Sequence, residues 1–227
     1  MAKPDVDDQD RPYHHGDLHR AIVRAALEIL SETQNLEFSL RELARRAGVS
    51  HNAPYKHFAD KRELLAAVSA AGFETLAKRM AVEAARFSNP RGKLFATLRA
   101  YVRHGVENPA LYRLMFGAYL SGPDRERPAI ERTAAEKAKG LISDLIVEGA
   151  LGRAIPATPR NERKIAGAVL TCWSLMHGLT QLLADGLVGP GKKAEELSDS
   201  LVQAMIAGLA TEWPMLPPGA WVGPPMS

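Results

Sequence analysis

Apolar side chains recur every three or four positions along most of the chain, the spacing of one face of an α-helix. Ile22, Ala25, Ala26, Ile29 and Leu30 form the first such stripe, with Asp17 as its expected cap. Short helices are predicted over 39–47 and near 51–58. A long one follows from Asp60: DKRE has the form of a capping box, and Leu64, Leu65, Val68, Leu76 and Met80 carry the stripe past Gly72. The chain breaks at SNPRG (88–92) and resumes with Leu94, Leu98, Tyr101 and Val102. Asn108-Pro109 restarts it, asparagine as cap and proline at the first helical position.

Beyond a loop at SGPD (121–124), Ile130, Ala134, Leu141, Leu145 and Ile146 predict a helix ending near Gly149–Gly152. Thr158-Pro159 opens another that runs to about Ala184, and Leu197, Leu201, Met205 and Gly208 mark the last. The proline-rich WPMLPPGAWVGPPMS cannot be regular helix. No run shows the two-residue alternation of a strand. The expected fold class is all-α, with about nine helices.

The segment SLRELARRAGVSHNAPYKHF (39–58) holds the most specific pattern. Ser39 and Glu42 have capping-box spacing, and Phe38 and Leu43 stand where a hydrophobic staple would. Leu40, Leu43, Ala44 and Ala47 share an inward face. Gly48 comes where a helix must end in a left-handed residue, and Ser50 is the expected cap of the next helix. Together these predict a helix-turn-helix. In HNAPYKHF, Phe58 is the inward anchor and Tyr55 a candidate to join it, leaving His51, Asn52, Lys56 and His57 to face outward. Amide and imidazole donors suit base edges, and an ammonium suits phosphate. Pro54 is a mild discord four residues after Ser50.

Charge strengthens this reading by its location. The whole chain is near balance, 29 basic against 26 acidic residues, yet six Lys/Arg face two acids between 39 and 62. Lys61 and Arg62 stand at a helix start, where the macrodipole disfavours cations by about 0.3–1 kcal/mol, a cost that a nearby phosphate would offset. The same charges also suit the solvated face of an ordinary helical hairpin. DNA binding is favoured because caps, turn glycine and basic edge fall in one register.

These residues bear on family. HHGDLHRAIVRAALEIL, SLRELARRAGVSHNAPYKHFADKRELL and the later CWSLMHG resemble the TetR/AcrR family of transcriptional regulators, and Trp173, His177 and Gly178 resemble a Trp-His-Gly signature of one subgroup. The resemblance is strong over about residues 14–68 and thinner beyond, where it rests on that signature and on NPALYRLMFG. It implies a three-helix DNA-binding domain, a homodimer made by the last two long helices, and a ligand cavity in the C-terminal domain. By position, Tyr55 and Lys61 match phosphate-contacting residues, Ser39 matches the backbone-meeting start of the second helix, and Ser50 to Asn52 with Lys56 and His57 match the base-reading face. The acidic DVDDQD is not a basic arm and receives no DNA role, while Arg11, His14 and His15 are in place to touch phosphate.

The expected organisation is an acidic tail (1–13), a DNA-binding domain (14–62), a helical ligand-binding and dimerisation domain (63–212) and a proline-rich tail (213–227). Tyr101, His104, Tyr112, Met115, Phe116, Trp173, Met176 and His177 are the candidate pocket residues. Trp173, His177, Gly178, Leu201 and Met205 are candidates for the dimer interface. Aromatic and methionine side chains at helical spacing also build plain cores, and His177 is first of all a satisfied core or interface histidine.

The rest of the sequence narrows the class. Its single cysteine, Cys172, lies in an apolar run, and neither a disulfide framework nor a zinc site is expected. His14-His15-Gly-Asp17 is not taken as a metal site, and no cofactor is expected. AGAVLTCWSLMHGLTQLLA contains Thr, Ser, His and Gln, so a buried helix is expected rather than a membrane span, in a cytoplasmic protein. Enzyme loops and metal-protease motifs are missing. The expected function is a homodimeric repressor released from a pseudo-palindromic operator by a small apolar or amphipathic effector, with the helix after Asp60 as lever. The alternatives are an activator, a ligand-independent DNA-binder, or a helical binding protein or enzyme with an incidental basic hairpin.

Overall fold

The computed structural model describes residues 15–117, 119–120, 126–151, 158–188, 192–211 and 217. Among them stand nine helices and no strand: α1 (His15–Thr33), α2 (Leu40–Arg46), α3 (Ala53–His57), α4 (Lys61–Ala84), α5 (Pro90–Glu107), α6 (Pro109–Phe116), α7 (Ala129–Leu151), α8 (Pro159–Ala184) and α9 (Lys192–Thr211). The expectations for Arg11, His14, the acidic tail, the SGPD loop and, apart from residue 217, the proline-rich tail fall outside the described residues.

The first three helices pack on one another and against the start of α4. Ile22, Ala26, Leu30, Leu43 and Phe58 are almost wholly buried there and merge with Leu64 and Leu65 into a continuous core. From that end α4 continues between α5 and α7, with α6 also against it, while α8 and α9 close the outer side on α5 and α7. Thirteen residues of α4 are buried, because the helix is covered on several sides at once.

The helix ends show which local signals act. Ser39 Oγ accepts from the Glu42 amide at 3.1 Å, and both Phe38 and Leu43 are buried. The box is one-sided, since the Glu42 carboxylate turns to Arg45 at 2.6 Å. Gly48 has φ +68°, the Val49 amide donates to Ala44 O at 3.0 Å and the Gly48 amide to Arg45 O at 3.3 Å: a complete Schellman motif. Asp60 caps α4 by accepting from Glu63 N at 2.8 Å, and Glu63 in return accepts from Ala59 N at 2.6 Å, one residue before the expected position.

Four expectations need correction. Asp17 lies inside the first turn of α1, which begins at His15. Ser50 does not cap α3: the helix starts at Ala53 after Asn52, whose side chain makes no capping bond, and Ser50 serves through its carbonyl, which accepts from Ala53 N at 2.9 Å. This places Pro54 at the second helical position, where no amide donor is needed, so the discord vanishes. Asn89 accepts from Gly92 N, so the helix after the break begins at Pro90 and not near Leu94. Asn108 precedes Pro109 as expected, but its amide turns back to His104 O at 2.9 Å and closes α5 instead of capping α6.

The core also holds an uncompensated polar group. His104 is 2% exposed on α5, and neither ring nitrogen has a hydrogen-bond partner. Burial first and the neighbouring Arg79 second lower its pKa from 6.5 to about 4, with Glu107 opposing. The folded value lies below the unfolded one, so the unfolded chain takes the proton more readily, and this contribution to stability is complete above 6.5 and lost as pH falls toward 4. Between about pH 7 and about pH 5 the protein is expected to lose about 2 kcal/mol from this group, read as a lower urea midpoint. His104→Leu should flatten that dependence, and an unchanged acid loss in the variant would assign it elsewhere.

Candidate nucleic-acid interface and ligand cavity

Helix α3 has only five residues, too few to be stable alone, so its geometry is set by what anchors it. Ala53, Pro54 and Phe58 are buried, and the Phe58 ring packs at a tilt against the His19 ring of α1, centroids 4.7 Å apart. With that side fixed inward, His51, Asn52, Tyr55 and Lys56 are exposed on one polar edge, Tyr55 to 57%. Tyr55 therefore does not share the anchoring role of Phe58. His57 is half-buried, its ring 6.5 Å from His19, so it belongs to the flank of that edge and not to its crest. Ser39, at the start of α2, and Ser50, in the turn before α3, are both exposed.

The six cations of this segment divide by partner. Arg45 pairs with Glu42, and Arg46 reaches Glu32 of α1 at 2.5 Å. Lys61, expected on phosphate, donates instead to the backbone carbonyls of Leu36 (2.7 Å) and Phe38 (3.0 Å), with its ammonium 4.9 Å from the centre of the Phe38 ring. Those carbonyls, with Asp60 and Glu63, supply the negative potential that a cation at a helix start requires, so no phosphate is needed to explain it. Arg62 donates to Leu120 O (3.1 Å) and Glu126 O (2.7 Å), across the α6–α7 connection. Of the six, Arg41 and Lys56, both exposed, have no partner among the described residues. Arg41 was missed because charge on a short helix gives no sign of which arginines pair.

A cavity of about 310 Å³ lies between α4, α5, α6, α7 and α8. Of the candidate pocket residues, Tyr101, Met115, Phe116 and Trp173 line it. Phe73, Leu76 and Met80 of α4 and Val169 of α8 complete its apolar wall. The α7 wall, not anticipated from sequence, brings Arg132, Ala135, Lys139 and Ile142 at helical spacing, with Glu136 and the nearby Arg127. Its apolar positions alternate with charges, which in sequence resembles a solvated face.

The remaining candidates lie elsewhere. His104 faces a separate cavity of about 180 Å³ toward Leu27, Leu30 and Gln34. Met176 is buried in the core, and Met205 is 7% exposed within its own chain, packed inward. Tyr112 stands one layer behind the cavity wall. Its hydroxyl is 3.0 Å from that of Tyr101 and 2.7 Å from His177 Nδ1, and its ring stacks on the imidazole at 5.4 Å. Burial raises the Tyr112 pKa to about 12 and lowers that of His177, so the chain of three is neutral and held by hydrogen bonds. Cys172 is fully buried and its pKa is pushed up to about 12, so it stays a thiol.

Arg127 anchors the cavity's rim to the α6–α7 connection. It donates to Met115 O (2.8 Å) and Gly117 O (3.1 Å) and pairs with Glu131, a fully buried carboxylate that also accepts from Ser69 Oγ at 3.3 Å. On the outer side, α8 leaves Leu175, Gly178 and Leu182 exposed, and α9 leaves Leu201, Ala204 and Gly208, each set at i, i+3, i+7 spacing. A side chain added at Gly178 or Gly208 would meet nothing within 4 Å in the chain itself.

Comparison with known proteins agrees with this geometry. Residues 22–68 match the family described as bacterial regulatory proteins, tetR family, and residues 94–205 match the tetracyclin repressor-like C-terminal domain. Among solved structures, a protein of unknown function from Rhodococcus sp. RHA1 is 29% identical, with a TM-score of 0.71 over 88% of this chain and 100% of its own. A TetR family transcription regulator from Marinobacter aquaeolei VT8 is 18% identical, with a TM-score of 0.59 over 84% of this chain and 95% of its own. The transcriptional regulator FadR of Bacillus subtilis, solved in complex with stearoyl-CoA, is 14% identical, with a TM-score of 0.64 over 84% and 98%. The curated proteins contain no match. No described helix is long and apolar enough to cross a membrane.

Lys61→Ala is expected to lower unfolding free energy by about 1–2 kcal/mol through loss of two charge-assisted bonds and to weaken DNA binding as a consequence. Urea unfolding checks this, and unaltered stability with weakened DNA binding would restore the phosphate role.

Proposed function

The chain belongs to the TetR family of bacterial transcriptional regulators, DNA-binding proteins without enzymatic activity, and from that premise we propose that it is a homodimeric repressor released from its operator by a small effector. The observation that carries the DNA reading is the division of α3, with Phe58 beneath and His51, Asn52, Tyr55 and Lys56 exposed on one edge. In this reading the edge enters the major groove. Asn52 and His51 meet base edges, while Tyr55, Lys56, Ser39 and the newly recognised Arg41 meet phosphates. Ser50 and His57 flank that surface, and the DNA-binding unit ends near residue 62.

The exposed stripes of α8 and α9 support a dimer. Each is apolar or small, and two helices from each subunit would bury them together. Leu175, Gly178, Leu182 and Leu201 are its proposed centre, with Trp173 and His177 at the edge. Two copies of α3 would then read half-sites about 34–36 Å apart. Trp173, His177 and Gly178 would mark the subgroup to which this member belongs.

The cavity is the proposed effector site. FadR, solved with stearoyl-CoA, gives a precedent for an amphipathic ligand in this fold, although about 310 Å³ is at the low end of ligand pockets and suits a shorter molecule. An effector releases DNA only by binding one arrangement better than the other. Here it would compete for Arg127, which holds the α6–α7 connection, whose carbonyls hold Arg62 at the start of α4.

Selection from random duplexes is expected to return a two-fold symmetric sequence, and binding should fall steeply with salt. Indifference to every duplex at low ionic strength would overturn the proposal. Lys56→Ala should weaken all sequences alike and flatten the salt slope by about one unit, whereas Asn52→Ala should relax preference at one or two positions (about 1–3 kcal/mol each). In sedimentation equilibrium the native chain should have twice the monomer mass, and Leu175→Glu with Leu201→Glu should halve it; a native monomer would remove the dimer from the proposal.

A further inference from the structure

The cavity of about 180 Å³ that His104 faces lies where two parts of the chain meet. One wall is the end of α1, with Leu27, Leu30 and Gln34, inside the stretch that matches the tetR regulatory proteins. The other comes from α4, α5 and α6, with His104 and Leu111 inside the C-terminal match. This opening shares no lining residue with the larger chamber. Leu27, Leu30 and Leu111 form its apolar side.

The polar side chains around it have partners of their own. Asn108 donates to His104 O at 2.9 Å, Gln34 to Ser31 O at 2.7 Å and Thr75 to Ala71 O at 2.8 Å. Arg79, the charged side chain of the lining, pairs with Glu107 at 2.5 Å, a carboxylate that Arg103 also holds. The His104 ring stands apart. It is 2% exposed, and neither Nδ1 nor Nε2 has a hydrogen-bond partner among the described residues. A buried polar group of this kind is costly until a bonding group reaches it. Burial keeps the imidazole neutral near pH 7, so it offers one N–H donor and one bare nitrogen acceptor.

We propose that this cavity is a binding site, separate from the chamber assigned to the effector, for a small uncharged molecule carrying a hydroxyl on an apolar body, such as a simple phenol or cyclic alcohol. The hydroxyl meets the His104 ring and the body lies against Leu27, Leu30 and Leu111. A hydroxyl both donates and accepts, so it serves either tautomer of the imidazole. An anion gains little here, because Glu107 already balances Arg79 and the imidazole is neutral, and a cation meets the Arg79 guanidinium. An apolar cavity of about 150 Å³ holds benzene, so this one suits about six to eight non-hydrogen atoms. Gln34, Thr75 and Arg79 are exposed, which leaves an entry from solvent. An occupant touches α1 and α4 to α6 at once, and so bridges the two matched regions.

The test titrates the intact protein, labelled with nitrogen-15, with phenol and with toluene, which differ by a hydroxyl in place of a methyl group. Transfer from water alone favours toluene. Phenol is nevertheless expected to bind at least about fivefold more tightly and to shift the ring-nitrogen signals of His104, identified by their loss in His104→Leu. His104→Leu should reverse the order of the two probes. Leu27→Phe, or Thr75→Trp where the first is poorly folded, should abolish binding of both. Equal or tighter binding of toluene to the native protein overturns the hydroxyl assignment. Phenol binding that leaves the His104 signals unmoved, or survives the filled cavity, overturns the site, and so does binding of neither probe.

Discussion

The first turn of α4 is the constraint on which the rest depends. Consecutive side chains there point to different parts of the molecule: Lys61 to the carbonyls of Leu36 and Phe38, between α1 and α2, and Arg62 to the carbonyls of Leu120 and Glu126, between α6 and α7. Neighbouring residues on a helix are separated by about 100° around the axis, so a single turn can hold two structures on two sides. Both contacts use a cation on backbone oxygen. They hold the backbone at Leu36, Phe38, Leu120 and Glu126 without depending on the side chains of those residues. Asp60 and Glu63 close the same turn from the front. A displacement of α4 is therefore carried to α1–α2 and to α6–α7 by hydrogen bonds, in addition to the apolar core around Leu64 and Leu65.

Much of the DNA-binding end was legible because its signals are local. A cap, a left-handed glycine and a buried aromatic each act within one turn of chain, and Ser39, Gly48 and Phe58 occupy the conformations that their positions demand. The errors arose where a local signal had two solutions. Ser50 and Asn52 are both competent caps, and Pro54 decides for the later start by fitting at the second helical position. Lys61 is a separate case: it stands at the expected helix start, and no local pattern announces its bonds to carbonyls 23 and 25 residues earlier in the chain.

The cavity was harder to read for a different reason. Aromatic residues of α5, α6 and α8 were recognisable as a group, yet which of them face an opening depends on how five helices meet, a tertiary property. Tyr112 and Met176 belong to the same helical pattern as Phe116 and Trp173, but both are buried away from the opening. The α7 wall escaped because Arg132 and Lys139 dilute its hydrophobic pattern; a helix that brings charged side chains to a cavity has no clean apolar face. Met205 is the opposite case: it belongs to the apolar pattern of α9, and its side of the helix turns into the chain's own core.

The hydrogen-bonded series Tyr101, Tyr112 and His177 gives the cavity a second connection, independent of Arg127. Tyr101 is at the cavity wall, Tyr112 is inside the core, and His177 is half-buried on α8 beside the exposed Gly178. Buried hydroxyls are costly unless paired, so their rings are held in one arrangement more firmly than apolar rings of the same size. Gly105 of α5 deepens this constraint. A methyl group in place of its hydrogen would fall 2.2 Å from Thr180 and 2.7 Å from the Tyr112 ring, so α5 approaches both to a distance only glycine permits. Two routes thus leave the same chamber, one through Arg127 and Arg62 to the recognition end, one through Tyr112 to the outer face of α8. A molecule that alters the chamber's shape meets resistance from both, because a close-packed core shifts between arrangements instead of deforming continuously.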